Sequence, residues 1–76
     1  MSRSNRWAAA LRQEWGQVST AGLRTLGRQW CYTREVWNKY PKDNDGKVSK
    51  VAQYNLDECE LALGVIDGLL ASRRGA

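Results

Sequence analysis

Tyr40-Pro41-Lys42-Asp43-Asn44-Asp45-Gly46-Lys47 is the stretch that decides how this 76-residue chain folds. Pro41 has no amide proton to continue a helix, and it pushes the preceding Tyr40 out of the helical region. Asn44, Asp45 and Gly46 are residue types that tolerate positive φ. The segment therefore reads as a loop over 41–48, set between a helical stretch at 5–40 and a second at 49–74. A chain of this length holds one domain, 1–76.

Downstream of the loop, Ser49 is placed to cap a helix. Val48, Ala52, Leu56, Cys59, Leu63, Ile66 and Leu70 then recur in steps of three and four, the period of a helix rather than the alternation of a strand. Leu61, Ala62 and Leu69 widen the stripe. Arg73 and Arg74 suit the negative end of the helix dipole, and Gly75 suits a stop. Gly64 and Gly68 each cost about 1 kcal/mol relative to Ala. Four residues apart, they offer room for another backbone to come close.

Upstream, Ser4 or Asn5 can cap a helix whose apolar face is Trp7, Leu11, Trp15 and Val18. Leu23, Leu26, Trp30, Thr33, Trp37 and Tyr40 form a second, near-heptad series. Between them lies Gly16-Gln17-Val18-Ser19-Thr20-Ala21-Gly22, poor in helix formers. An unbroken helix from Arg6 to Lys39 would be about 50 Å long against about 37 Å for its partner. That mismatch favours a break or bend near 16–22. The expected fold is all-α: a helical hairpin of two long helices, the first broken or bent near 16–22, dimerising into a bundle.

Composition narrows the chemistry. The chain has no His, which removes the commonest general base and the commonest metal ligand. Cys31 and Cys59 are too few for a structural zinc site. The start, Met1-Ser2-Arg3-Ser4-Asn5-Arg6, lacks the pattern of a secretory signal, so a cytoplasmic setting with reduced thiols is expected. The longest apolar run, Trp7 to Leu11, is five residues, far short of the roughly 20 that span a bilayer. Asp43-Asn44-Asp45-Gly46 has the composition of a calcium loop without its spacing. With Gly46 at the sixth position, Pro41 would be first and Ala52 twelfth, where an acid is required. No catalytic, cofactor-binding or metal-ligating residues are therefore expected, no cofactor, no membrane association and no enzymatic activity.

Charge is uneven. Residues 1–42 carry eight Lys/Arg against Glu14 and Glu35, while residues 43–76 carry four against six acids. A basic half joined to an acidic half suits self-complementary pairing and leaves the basic half open to an anionic partner. The aromatic residues point to recognition. Trp, Tyr and Arg dominate binding hot spots, and four Trp exceed what two apolar stripes enclose. Trp7, Trp15, Trp30, Arg34, Trp37 and Tyr40 are the candidates for a protein interface.

The stretch from Leu11 to Leu26 resembles the helix-turn-helix of DNA-binding repressors. In that family an apolar helix ends at a turn with Gly, and a capped recognition helix follows. The resemblance implies that Ser19 caps, that Leu23 and Leu26 are buried, and that Arg24, Thr25 and Arg28 face nucleic acid. The step from Gly16 to Ser19 is one residue longer than the usual turn, and Gly22 falls inside the second helix.

A second likeness lies in Trp37-Asn38 and in Glu60-Leu61-Ala62-Leu63-Gly64-Val65-Ile66-Asp67-Gly68-Leu69-Leu70-Ala71-Ser72-Arg73-Arg74. These resemble small temperate-bacteriophage host-takeover proteins of the anti-quorum-sensing and anti-pilus type. That resemblance implies a helical hairpin that forms a homodimer and binds a host protein, as an inhibitor or adaptor, through hydrophobic and charged surfaces.

Overall fold

Why the first stretch breaks is visible in a few atoms. The computed structural model describes residues 3–74, which form α1 (Arg3–Trp15), α2 (Thr20–Asn38) and α3 (Lys50–Arg74), with no strand among the described residues. After Trp15 the chain tightens, with the Gly16 amide donating to the Arg12 carbonyl at 2.9 Å and the Val18 amide to the Trp15 carbonyl at 3.0 Å. A side chain at position 16 would put its Cβ 2.8 Å from that Arg12 oxygen, so only glycine fits. Ser19 then leaves the helical region (φ −62°, ψ 158°), and its Oγ accepts the Gly22 amide. Val18 packs on the core cluster that holds Leu23. These are the positions of a capped helix start with an apolar clamp on either side of the cap. Gly22 is part of this start, because a Cβ there would lie 2.6 Å from Val18 Cγ1.

The described residues therefore form three helices, because the first expected stretch, read as broken or bent near 16–22, is divided there into α1 and α2. The first expected stretch begins earlier than its caps implied: Ser4 and Asn5 lie inside α1. The expected stop at Gly75 lies outside the described residues. The other boundaries follow their chemistry. α2 ends at Asn38, two residues before the Tyr40-Pro41 pair. Ser49 caps α3, its Oγ accepting the Ala52 amide at 3.1 Å and its carbonyl the Gln53 amide at 2.9 Å. In the connecting loop Asp43 Oδ1 accepts from the amides of Asp45 and Lys47. Among the described residues Gly46 alone takes a positive φ, 76°.

α2 and α3 run antiparallel. Thr20 meets Arg73, position 27 faces Ile66, and Arg34 meets Glu60. α1 folds back and packs chiefly on α3. The core forms where the three meet: Ala8, Leu11 and Trp15 from α1, Leu23 from α2, and Ala62, Val65 and Ile66 from α3. Leu23 is fully enclosed, at 0% exposure. Burying such an aliphatic side chain contributes about 1.5–3 kcal/mol.

α1 has 13 residues and spans about 20 Å, whereas the 25 residues of α3 span about 37 Å. Much of the α2–α3 pair therefore has no third helix against it. The near-heptad series on α2 records this as a gradient: Leu23 is buried, Leu26, Trp30, Thr33 and Trp37 are half-buried, and Tyr40 is exposed. The molecule is elongated, 49 × 28 × 17 Å, with a radius of gyration of 14.3 Å against roughly 11 Å for a typical domain of this length.

Candidate binding surface

Folding back α1 settles where the tryptophans go. Trp15 is 8% exposed and belongs to the core. Trp30 sits between its two neighbours, its ring centroid 6.4 Å from Trp7, edge-on at 72°, and 6.4 Å from Trp15 at 59°. Such offset and edge-to-face pairs add about 0.5–1.5 kcal/mol beyond their burial. Of the interface candidates, Trp7, Trp15 and Trp30 are thus held together inside one copy of the chain. α1 supplies a third apolar stripe that buries Trp15, while Trp7 and Trp30 are half-buried. Trp37 is half-buried and stacks at 5.2 Å on Tyr40, which is 45% exposed. These two remain at the surface.

Arg34 makes the one ion pair among the described residues, with Glu60 Oε1 at 3.4 Å. Both side chains reach solvent, so the pair contributes about 0–1 kcal/mol. The same guanidinium donates to Cys31 Sγ at 3.9 Å. Cys59 lies buried on the facing helix, where burial pushes its thiol pKa above the ordinary value and the Arg34 charge partly offsets that. Both cysteines are free thiols.

The residues of the nucleic-acid alternative fall on α2. Ser19 is the cap, as the helix-turn-helix likeness implied. Arg24, Thr25 and Arg28 are exposed, with Arg28 Nη2 donating to Thr25 Oγ1 at 3.2 Å and Thr25 Oγ1 donating to the Ala21 carbonyl at 3.2 Å. Although these residues share a face, α1 braces α3 more than it braces α2, unlike the paired helices of that motif.

Two surfaces were not singled out from the sequence. The first is a set of exposed apolar side chains around the α2–α3 connection, Tyr32 (69% exposed), Val36, Val48, Val51 (54%) and Tyr54, beside Tyr40 of the interface candidates. Tyr32 and Val36 stand one turn apart on α2, and Val48 and Val51 flank the start of α3. Val48 lies in the apolar series of α3, whereas Tyr32, Val36, Val51 and Tyr54 fall outside both series, so the helical period gave no signal for them. The second is the arginine end of α3. Arg73 reaches the α1–α2 turn, donating to Thr20 Oγ1 at 3.1 Å and to the carbonyls of Gly16 and Val18 at 3.2 and 2.7 Å. It satisfies backbone oxygens left open where α1 ends, the task assigned by position alone to the helix dipole.

Gly64 and Gly68 do not admit another backbone within the chain, since nothing lies within 4 Å of a Cβ built at either. Among the described residues no helix is long and apolar enough to cross a membrane. No protein-family model matches the chain, and no curated protein or solved structure matches it.

Proposed function

We propose that this chain is a small non-enzymatic protein-binding module, an inhibitor or adaptor, that engages a host protein through the apolar end of the α2–α3 pair. The supporting observation is the set of six large apolar side chains exposed there, all drawn from residues 32–54. Surface area points the same way. The chain exposes 5652 Å², whereas a folded monomer of 8.6 kDa exposes about 4,700 Å². The excess, about 1,000 Å², is close to the roughly 800 Å² that one partner contributes to a standard interface. In this reading the antiparallel α2–α3 pair is the hairpin that the bacteriophage proteins would share, and a second copy of the chain completes a bundle on the uncovered part.

The nucleic-acid alternative keeps one observation in its favour, the exposure of Arg24, Thr25 and Arg28 on one face of α2. Salt separates the two, because phosphate contacts weaken steeply with ionic strength and apolar contacts do not.

The test is affinity capture from host lysate with and without nuclease, together with the mass of the protein in solution. A host protein retained after nuclease treatment and at raised salt, and lost with Val36→Asp or Val51→Asp, is the expected result. Retention dependent on nucleic acid, or unaffected by both substitutions, would refute it.

A further inference from the structure

We propose that the cavity between the start of α2 and the end of α3 is an oxyanion site that takes a phosphate group. It has a volume of about 230 Å³ and is lined by Thr20, Arg24, Leu70, Arg73 and Arg74. Three arginines line it, and no acidic side chain does among the described residues. Since the one ion pair among the described residues is Arg34 with Glu60, none of the three cations pairs with a described acid. Like charges gathered around one cavity repel, and a bound anion relieves that repulsion.

The three arginines differ in a way that suits binding. Arg73 is half-buried and fixed by three acceptors, Thr20 Oγ1 and the carbonyls of Gly16 and Val18. All three acceptors are uncharged, so they set the position of the cation without cancelling its charge. Arg24 and Arg74 are exposed and make no hydrogen bond or ion pair among the described residues, which leaves their forks free to close on a ligand. The guanidinium fork matches the paired oxygens of phosphate and of carboxylate. Three cations select phosphate, whose higher charge and additional acceptor oxygens serve all three at once. The cavity is smaller than the about 300–1,000 Å³ that encloses a drug-sized ligand, so it holds one oxyanion group and not a whole nucleotide. The guanidinium cluster carries this assignment, independently of the protein-binding reading above.

Such a phosphate has two sources, free phosphate or the backbone of a nucleic acid. Calorimetric titration with inorganic phosphate, and separately with a short DNA duplex, both at ionic strength held constant with chloride, distinguishes them. The comparison is with the Arg24→Gln/Arg74→Gln double variant, which leaves the Arg73 contacts intact and keeps the native melting temperature and helical circular dichroism. Saturable binding of inorganic phosphate, weakened at least tenfold in the double variant, establishes the site for free phosphate. Duplex binding weakened at least tenfold in the double variant, with no heat from inorganic phosphate, establishes it for a backbone phosphate. Equal affinities of the two proteins for both probes, or no binding of either probe, overturns the proposal.

Discussion

Replacing Gly64 and Gly68 by Ala together should make the protein more stable. Both lie in the interior of α3, the longest helix, and a Cβ at either position meets nothing within 4 Å. No packing opposes the methyl groups, so only the backbone term remains. Glycine in a helix interior costs about 0.5–1 kcal/mol relative to Ala, because its unfolded chain has more freedom to lose. The two positions together should contribute about 1–2 kcal/mol. For a domain of this size each kcal/mol shifts Tm by about 4–8 °C, which puts the double variant about 4–16 °C above the parent. Thermal melting followed by circular dichroism, with urea unfolding beside it, reads the change. Gly16→Ala and Gly22→Ala are the controls. Their Cβ atoms would approach Arg12 O at 2.8 Å and Val18 Cγ1 at 2.6 Å, and both variants should melt below the parent. An unchanged or lowered Tm for Gly64→Ala/Gly68→Ala would refute the reasoning. It would mean that in solution this glycine face touches another backbone, which the chain by itself does not provide.

Leu23→Ala opens a cavity at the junction of all three helices and should cost about 2–5 kcal/mol, read as a lowered urea midpoint. Arg73→Ala removes the three hydrogen bonds to Thr20, Gly16 and Val18 and should cost about 1–3 kcal/mol, with amide exchange accelerated first in the α1–α2 turn. Cys31 should react with a thiol reagent under native conditions, while the buried Cys59 should react only as fast as the protein opens. The folded pKa of Cys59 lies above its ordinary value of 9.0. As pH rises past 9, the unfolded chain loses that proton before the folded chain does. The stabilising preference for the neutral thiol is therefore present below pH 9 and is lost as pH rises through the folded pKa. A pH titration of urea midpoints, compared with Cys59→Ala, isolates that contribution.

Local chemistry was readable in the sequence because its causes are local. Pro41 ends α2 wherever the rest of the chain goes, and the hydroxyls of Ser19 and Ser49 reach amides only three residues ahead. The helical period of α2 and α3 was readable for the same reason. A period states that a face is apolar without stating what covers it. Trp15 and Val48 both lie in apolar series at helical spacing, yet Trp15 is 8% exposed and Val48 is 46% exposed. The difference is that α1 folds back over one part of α3 and stops. Arg73 shows the same limit, since its partners at Gly16 and Val18 lie more than 50 residues away in sequence.

The break at Gly16 to Ser19 therefore shapes the surface as well as the core. As part of one long helix, residues 3–15 would extend away from α3, and Trp7, Trp15 and Trp30 would face solvent or a partner. Turned back, they close a core around Leu23, and the uncovered apolar surface moves to the opposite end, at Tyr32, Val36, Val48 and Val51. The same turn leaves the carbonyls of Gly16 and Val18 pointing outward, where they fix Arg73 beside Arg24 and Arg74. One short connection thus separates an apolar end from an arginine end. Loosening it with Ser19→Gly, which removes the capping hydroxyl, should weaken phosphate binding at the near end while leaving association through Val36 and Val51 intact. Loss of both together would show that the two surfaces are not independent.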